Sequence, residues 1–286
     1  MAKDIHPTAI VDRQAELADG VRIGPYSVVG PHVVIGAEAV IHNQVTLTGH
    51  TTLGAHCQVH PGAVVGGPPQ DLKFKGEHTV LSIGEHTIIR ECCTLNPGTE
   101  LGGGRTVIGS YNLIMAYVHI AHDCQLEDHI VIANASQLAG HVHVQEGARI
   151  SGLAAIHHFV RIGRSAFVAG CAKLSIDVPP YTLAEGHPAR IRGLNLEGLR
   201  RRTVPEESVA ALKEAYRLLY RSEGTRAQAY AEIAAKELTR HAVVSDFVEF
   251  MKTVDQGRHG RGQEGTRVEV PPEHRDGALG FRADEE

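Results

Sequence analysis

The stretch VRIGPYSVVGPHVVIGAEAVI (residues 21–41) places Ile23, Val29, Ile35 and Ile41 six residues apart. Neither a helix of period 3.6 nor a strand of period 2 produces that spacing. The beat extends outward in both directions. It starts at Val11 and Leu17 and continues through Leu47, Leu53, Val59 and Val65. It returns in phase at Ile83, Ile89, Leu95, Leu101 and Val107, slips by one residue, and then runs unbroken from Ile108 to Leu174. If about a quarter of positions are aliphatic, twelve such hits in a row have odds below about one in a million. Four positions after the aliphatic residue sits a small or aliphatic one, as at Ser27, Val33, Ala39, Val45, Thr51, Cys57, Ala63, Cys93 and Cys124.

A hexad repeat reads as a parallel β-helix. Each hexad makes one short strand and one corner, and three hexads close a triangular coil of 18 residues. Coils stack at about 4.8 Å, so about nine of them predict a prism roughly 43 Å long. The period alone leaves the handedness open. Two segments interrupt the beat, PPQDLKFKGEHT (68–79) and GTELGGGR (98–105). Both are expected as external loops, where function concentrates.

Composition agrees with a thin, regular core. The chain has no Trp, is 5% aromatic and carries 31 Gly. Its net charge of −5 gives no global indication of a coat for nucleic acid or a membrane surface. The five cysteines form no C-x-x-C pair and read as reduced thiols of a cytoplasmic protein. Cys57, Cys93 and Cys124 all fall in the small inward slot, which makes them core filler before nucleophiles. No apolar run is long enough to span a bilayer, and the amino terminus lacks a signal core.

The prism is expected over 1–190 and a helical part over 191–254. Val209, Leu212, Tyr216 and Leu219 predict one helix behind Pro205. Thr225 is expected to cap a second helix ending near Leu238, and Ser245 a third carrying Phe247, Phe250 and Met251. Residues 255–286, rich in Gly, Arg and Glu, read as a disordered tail.

The beat also places the histidines, of which there are 19. Residues 18 apart share an edge, so His122, Gly140 and His158 stack, as do Asp123, His141 and Phe159. His119 and His157 flank them. Most other histidines, such as His42, His56 and His86, read as solvated faces. The HxxHD, GH and HH set has no structural need to share one phase. Gly152 and Gly170 stack on a different edge and would leave a narrow groove there.

HIAHDC (119–124), LAGH (138–141), QDLKF (70–74), DVPPY (177–181) and NLEGLRRR (195–202), in this order, closely resemble the UDP-N-acetylglucosamine acyltransferase family over about residues 5–254. The resemblance implies a left-handed prism in a cytoplasmic homotrimer, with active sites between subunits. It implies transfer of a 3-hydroxyacyl chain from acyl carrier protein to the sugar's 3-hydroxyl, the first step of lipid A synthesis, without an acyl-enzyme, cofactor or metal. It makes His122 the general base, Asp123 its partner and the Gly140 N–H the oxyanion donor. Adjacent strand residues point to opposite faces, so a His122–Asp123 contact requires a corner. The same resemblance gives substrate contacts to Asp71, Lys73, His119, His141, His157 and His158. It gives uridine contacts to Asn195, Glu197 and Arg202, and the diphosphate to Arg201. Gly152 and Gly170 would line the acyl groove, with Gly170 setting its length. Two departures stand out: His158 replaces the family's usual Gln, and Asn96-Pro97 stands where Arg or His-Arg is usual. Two further readings use the same prism: N-acylation of a 3-amino sugar, and a zinc protein of the gamma carbonic anhydrase kind using HxxH and a third imidazole.

Overall fold

A computed structural model describes residues 2–266. Among the described residues the strands form three sheets of eleven, nine and eight, one per prism face, in which each hexad strand pairs in parallel with the one a coil away. Arg22-Ile23 lies on Val40-Ile41, and Gln137-Leu138 on Ala155-Ile156. The prism is a left-handed parallel β-helix. Most strands are two residues long, the second buried and the first facing out. Ile23, Ile35, Leu47, Val65, Ile89, Ile120 and Leu174 fill one continuous core, with Ser27, Cys57, Ala63 and Cys124 in the small slots. Fully burying each Val, Leu or Ile contributes about 1.5–3 kcal/mol.

The corners turn through left-handed backbone. Tyr26, Glu38, Gln44, His56, Asp123, His141 and Phe159 all have φ between 56° and 63°. Such values are uncommon for residues other than glycine. Here they recur because each flat strand must bend sharply to the next face.

The loops explain the behaviour of the beat. Strand partners are 30 residues apart across the first loop (Val64 to Thr94) and 25 apart across the second (Val80 to Arg105), instead of 18. The loops therefore add 12 and 7 residues. Twelve is two hexads and preserves the phase; seven is one hexad plus one and produces the slip. Leu101, in phase by count, lies in the second loop's 3-10 turn (Glu100–Gly102) and is exposed. Val107 is half-buried, with Ile108 taking the inward place. Asn96 is buried and donates to the carbonyls of Gly67 and Pro68, tying the root of the first loop to the prism.

The prism ends in an antiparallel hairpin, Thr182–Gly186 against Ala189–Leu194, which continues the eleven-stranded sheet past residue 190. Among the described residues four α-helices follow: α1 (Leu196–Arg201), α2 (Glu206–Tyr220), α3 (Arg226–Ala235) and α4 (Ala242–Asp255). Thr225 caps α3 in a full capping box, as its sequence predicts. Ser245 does not cap the last helix. That helix starts a turn earlier behind His241, because Val244 is needed in the apolar seam with Phe247, Val248 and Met251. Tyr181 joins that seam and donates to Asp246 at 2.7 Å, fixing the helices to the prism. The expected disorder of the tail is corrected in part. Gly260–Thr266 forms a 3-10 segment packed on the prism, while 267–286 lies outside the described residues. Among the described residues, no helix is long and apolar enough to cross a membrane.

Candidate active site

Both loops leave the prism at one corner, directly above His122-Asp123. The corner's left-handed bend (φ 61° at Asp123) turns two neighbouring side chains toward one another. The His122 Nδ1 lies 2.7 Å from Asp123 Oδ2. Both residues are buried. Asp123 also accepts from the Thr99 hydroxyl (2.7 Å) and the Thr99 N–H (2.8 Å), and its own N–H donates to Thr106 Oγ1 (2.8 Å). Burial raises its carboxyl, but the bonds from His122 and Thr99 outweigh this and hold it below the usual carboxylate range. Asp123 is therefore an ionised acceptor at neutral pH. It fixes the proton on His122 Nδ1 and leaves the Nε2 lone pair facing outward. Asp71 of the first loop stands 3.8 Å from that Nε2, and Lys73 Nζ pairs with Asp71 at 3.4 Å.

Gly140 lies one coil below. A Cβ there would stand 2.5 Å from His122 Cε1, so only glycine admits the ring. The ladder takes the N–H of Ala139 to Ile156 O and that of His141 to His122 O, but not that of Gly140. Proline fills the same corner position at Pro7, Pro25, Pro31 and Pro61, which confirms that the ladder does not need this donor. The fold thus leaves one N–H beside the imidazole by construction. His141 stacks on Phe159 (4.5 Å) and meets His122 edge-on (5.2 Å), and burial pushes its imidazole down. With Lys73, Gly102 and Asp123 it lines a cleft of 510 Å³.

On the next face, His119, Leu138, Ala139, Ile156, His157 and His158 line a largely apolar groove of 390 Å³. The His119 ring is fixed by Thr94 Oγ1 at 2.8 Å and pushed down by burial. The His158 ring lies edge-on to His157 at 5.5 Å. This face joins the His122 corner to the one carrying Gly152 and Gly170. A Cβ on Gly170 would reach the Gly152 carbonyl at 3.4 Å, so the two glycines do stack.

The residues expected at the uridine are elsewhere. Asn195, Arg201 and Arg202 line a 120 Å³ hollow with His129, Gly147 and Ser165, at the next corner of the prism. Asn195 caps α1 by accepting from the Gly198 N–H and donates to Ser165 O; Arg202 pairs with Glu146. Glu197 pairs with Arg200 and Arg201, which pull its carboxyl down to about 2. One chain therefore does not bring this group to His122.

Sequence reasoning missed Thr99, Gly102 and Thr106. The first two lie in GTELGGGR, recognised as a break but not for these residues. A Cβ on Gly102 would stand 2.0 Å from the Asp123 carboxyl carbon. Cys124 is poorly placed as a nucleophile: burial pushes its thiol up to about 12, and its Sγ faces Ala139 O. Ligand atoms of His122, Asp123 and His141 lie within 4.8 Å of one another. The Asp123 Oδ2 that would ligate already takes two short hydrogen bonds, from Thr99 and His122. This is an acid–base arrangement ahead of a metal cage.

A family profile described as UDP-N-acetylglucosamine O-acyltransferase, domain 2, matches residues 177–262, and a hexapeptide-repeat profile matches 14–49. The acyl-[acyl-carrier-protein]--UDP-N-acetylglucosamine O-acyltransferase of Thiobacillus denitrificans is 46% identical over 88% of this chain and 98% of its own length. That of Sulfurovum sp. is 49% identical over 88% and 96%. The solved UDP-N-acetylglucosamine acyltransferase of Bacteroides fragilis superposes with a TM-score of 0.83 at 34% identity, covering 86% of this chain and 96% of its own. The enzyme of Moraxella catarrhalis does so with 0.83 at 41%, over 87% and 96%. With near-complete matches at these identities, the chain belongs to the UDP-N-acetylglucosamine acyltransferase family.

Proposed function

We propose that the protein transfers a 3-hydroxyacyl chain from acyl carrier protein to the 3-hydroxyl of UDP-N-acetylglucosamine, by direct attack. His122 Nε2 takes the hydroxyl proton as the oxygen attacks the thioester carbon. Asp123 holds the tautomer and balances the imidazolium that forms. The Gly140 N–H donates to the developing oxyanion; as the C–S bond breaks, the His122 imidazolium returns the proton to the sulfur and the carrier leaves as the thiol. The single observation that carries this reading is the convergence of an Asp-held imidazole with an N–H that the ladder leaves unused. No acyl-enzyme is required, and the burial of Cys124 disfavours one.

The apolar groove toward Gly152 and Gly170 suits the acyl chain. Asp71, Lys73, His119, His141, His157 and His158 surround the site and are assigned to the substrates. Asn195, Arg201 and Arg202 sit one corner away, with Glu197 paired to Arg201. A homotrimer, in which this corner faces a neighbour's His122 corner, is the arrangement that lets them hold the nucleotide. The basic group of Arg190, Arg192 and Arg200–Arg202 suits a diphosphate and an acidic carrier. A cytoplasmic location follows from that carrier.

The test is an acyl-transfer assay with UDP-N-acetylglucosamine and 3-hydroxyacyl carrier proteins of graded length, with metal analysis of the purified protein. An O-ester product formed without bound zinc supports the reading. A stoichiometric zinc required for activity would overturn the general-base assignment.

A further inference from the structure

The segment after α4 contributes to the site. Gly257 and Gly260 both turn through positive φ (65° and 59°). A Cβ on Gly260 would stand 2.1 Å from Asp177 Oδ2 and 2.6 Å from Arg161 Nε, so the backbone passes where only glycine fits. His259, Gly260 and Gln263 then form a wall of the 510 Å³ cleft that holds Lys73, Asp123 and His141.

Arg261 is fixed at five points. Its N–H donates to Asp177 Oδ1 (3.2 Å) and its Nε to Ser175 O (3.3 Å). Its Nη1 reaches His158 O (2.8 Å), Glu264 Oε2 (2.6 Å) and His157 Nδ1 (2.9 Å). A guanidinium has no acceptor. Nη1 carries two hydrogens for these three acceptors, so one hydrogen is shared; facing a donor, the neutral His157 ring offers its Nδ1 lone pair and carries its proton on Nε2. The His157 ring lines the apolar groove with His119 and Ala139. In so apolar a groove, one oriented N–H selects an oxygen on the bound chain.

We infer that Arg261 is a positioning residue: it locks His157 in the Nε2–H tautomer, so that the ring presents a hydrogen-bond donor to an oxygen of the acyl donor in this groove. The inference rests on the acyl-transfer reading. It makes the segment after α4 part of the substrate site rather than a dispensable tail.

The test is made on the full-length chain with Arg261→Ala and Arg261→Lys, by ring-nitrogen NMR and by steady-state kinetics. His157→Asn assigns the resonance. In the unaltered protein, His157 Nδ1 should show the lone-pair signature without turnover. Arg261→Ala should average the two tautomers and raise KM for the acyl carrier substrate about tenfold, with kcat and the KM for the nucleotide sugar little changed. Arg261→Lys, which keeps one donor, should recover part of both. An unchanged His157 signature in Arg261→Ala would overturn the inference. So would an unchanged KM, or a loss confined to kcat. Failure of the acyl-transfer reading would appear separately, as no product from the unaltered protein with any donor. The NMR comparison would still decide what Arg261 does to His157.

Discussion

One edge of the prism carries two histidine columns. Toward the amino terminus, His32, His50 and His78 stack with centroids 4.4 and 4.0 Å apart. The strand register runs from His50 through Val80 and Arg105 to the coil of Asp123 and His141, so the second column lies on the same edge. Both are rows of imidazoles a coil apart, but in the second His122 meets His141 edge-on and the ring stacked on His141 is Phe159. The columns differ in what covers them. The second lies under both loops and pairs with a buried carboxylate held by Thr99. Imidazoles piled at coil spacing are a by-product of the repeat; a hydrogen-bonded acceptor and a spare N–H beside one of them make chemistry.

The comparison can be broken at its strongest point first. His122→Ala should lower turnover by about 10³-fold while the fold persists, since a general base contributes about 10²–10⁴. Steady-state rates with circular dichroism check this, and a fully active variant would end the assignment. Gly140→Ala comes next. Its Cβ must displace the His122 ring, so a loss of about a hundredfold in kcat is expected, with little change in melting temperature. Thr99→Val keeps the N–H to Asp123 but removes the hydroxyl, and should cost about tenfold in kcat.

A pH series sharpens the electrostatic side. The folded carboxyl of Asp123 lies below its unfolded value. Its ionisation therefore adds stability above about pH 4, which is lost as pH falls through the folded value. The gap in urea midpoint between the natural chain and Asp123→Asn should be full at pH 6 and shrink toward pH 3. At the other column, His50→Ala should change stability by about 0.5 kcal/mol or less and leave kcat alone. Loss of activity there would mean the first column is more than a by-product.

Much of the site was legible because the repeat is a ruler. Phase alone put Gly140 beside His122, and put Cys124 inside. It could not show the Asp123 contact, since that depends on a left-handed corner rather than on strand alternation. Thr99 and Thr106 carry no pattern; a loop of seven added residues brings Thr99 over Asp123. Arg261 lay in a segment whose composition reads as disorder, and its order comes from Asp177 and Ser175, more than 80 residues earlier in the chain. A serine ahead of an apolar run fits a cap, yet Ser245 lies inside the helix, because the seam made by Val244 and Phe247 starts the helix before it.

The sequence by itself determined the prism, its three faces, the inward residues and the stacking of chemical groups along each edge, because a short-range period propagates without reference to the rest of the chain. The tertiary structure alone decided which edge becomes a site. That choice depends on contacts between distant residues: loops folding down on one corner, a threonine reaching a carboxylate, and an arginine after the last helix returning to a histidine about a hundred positions away.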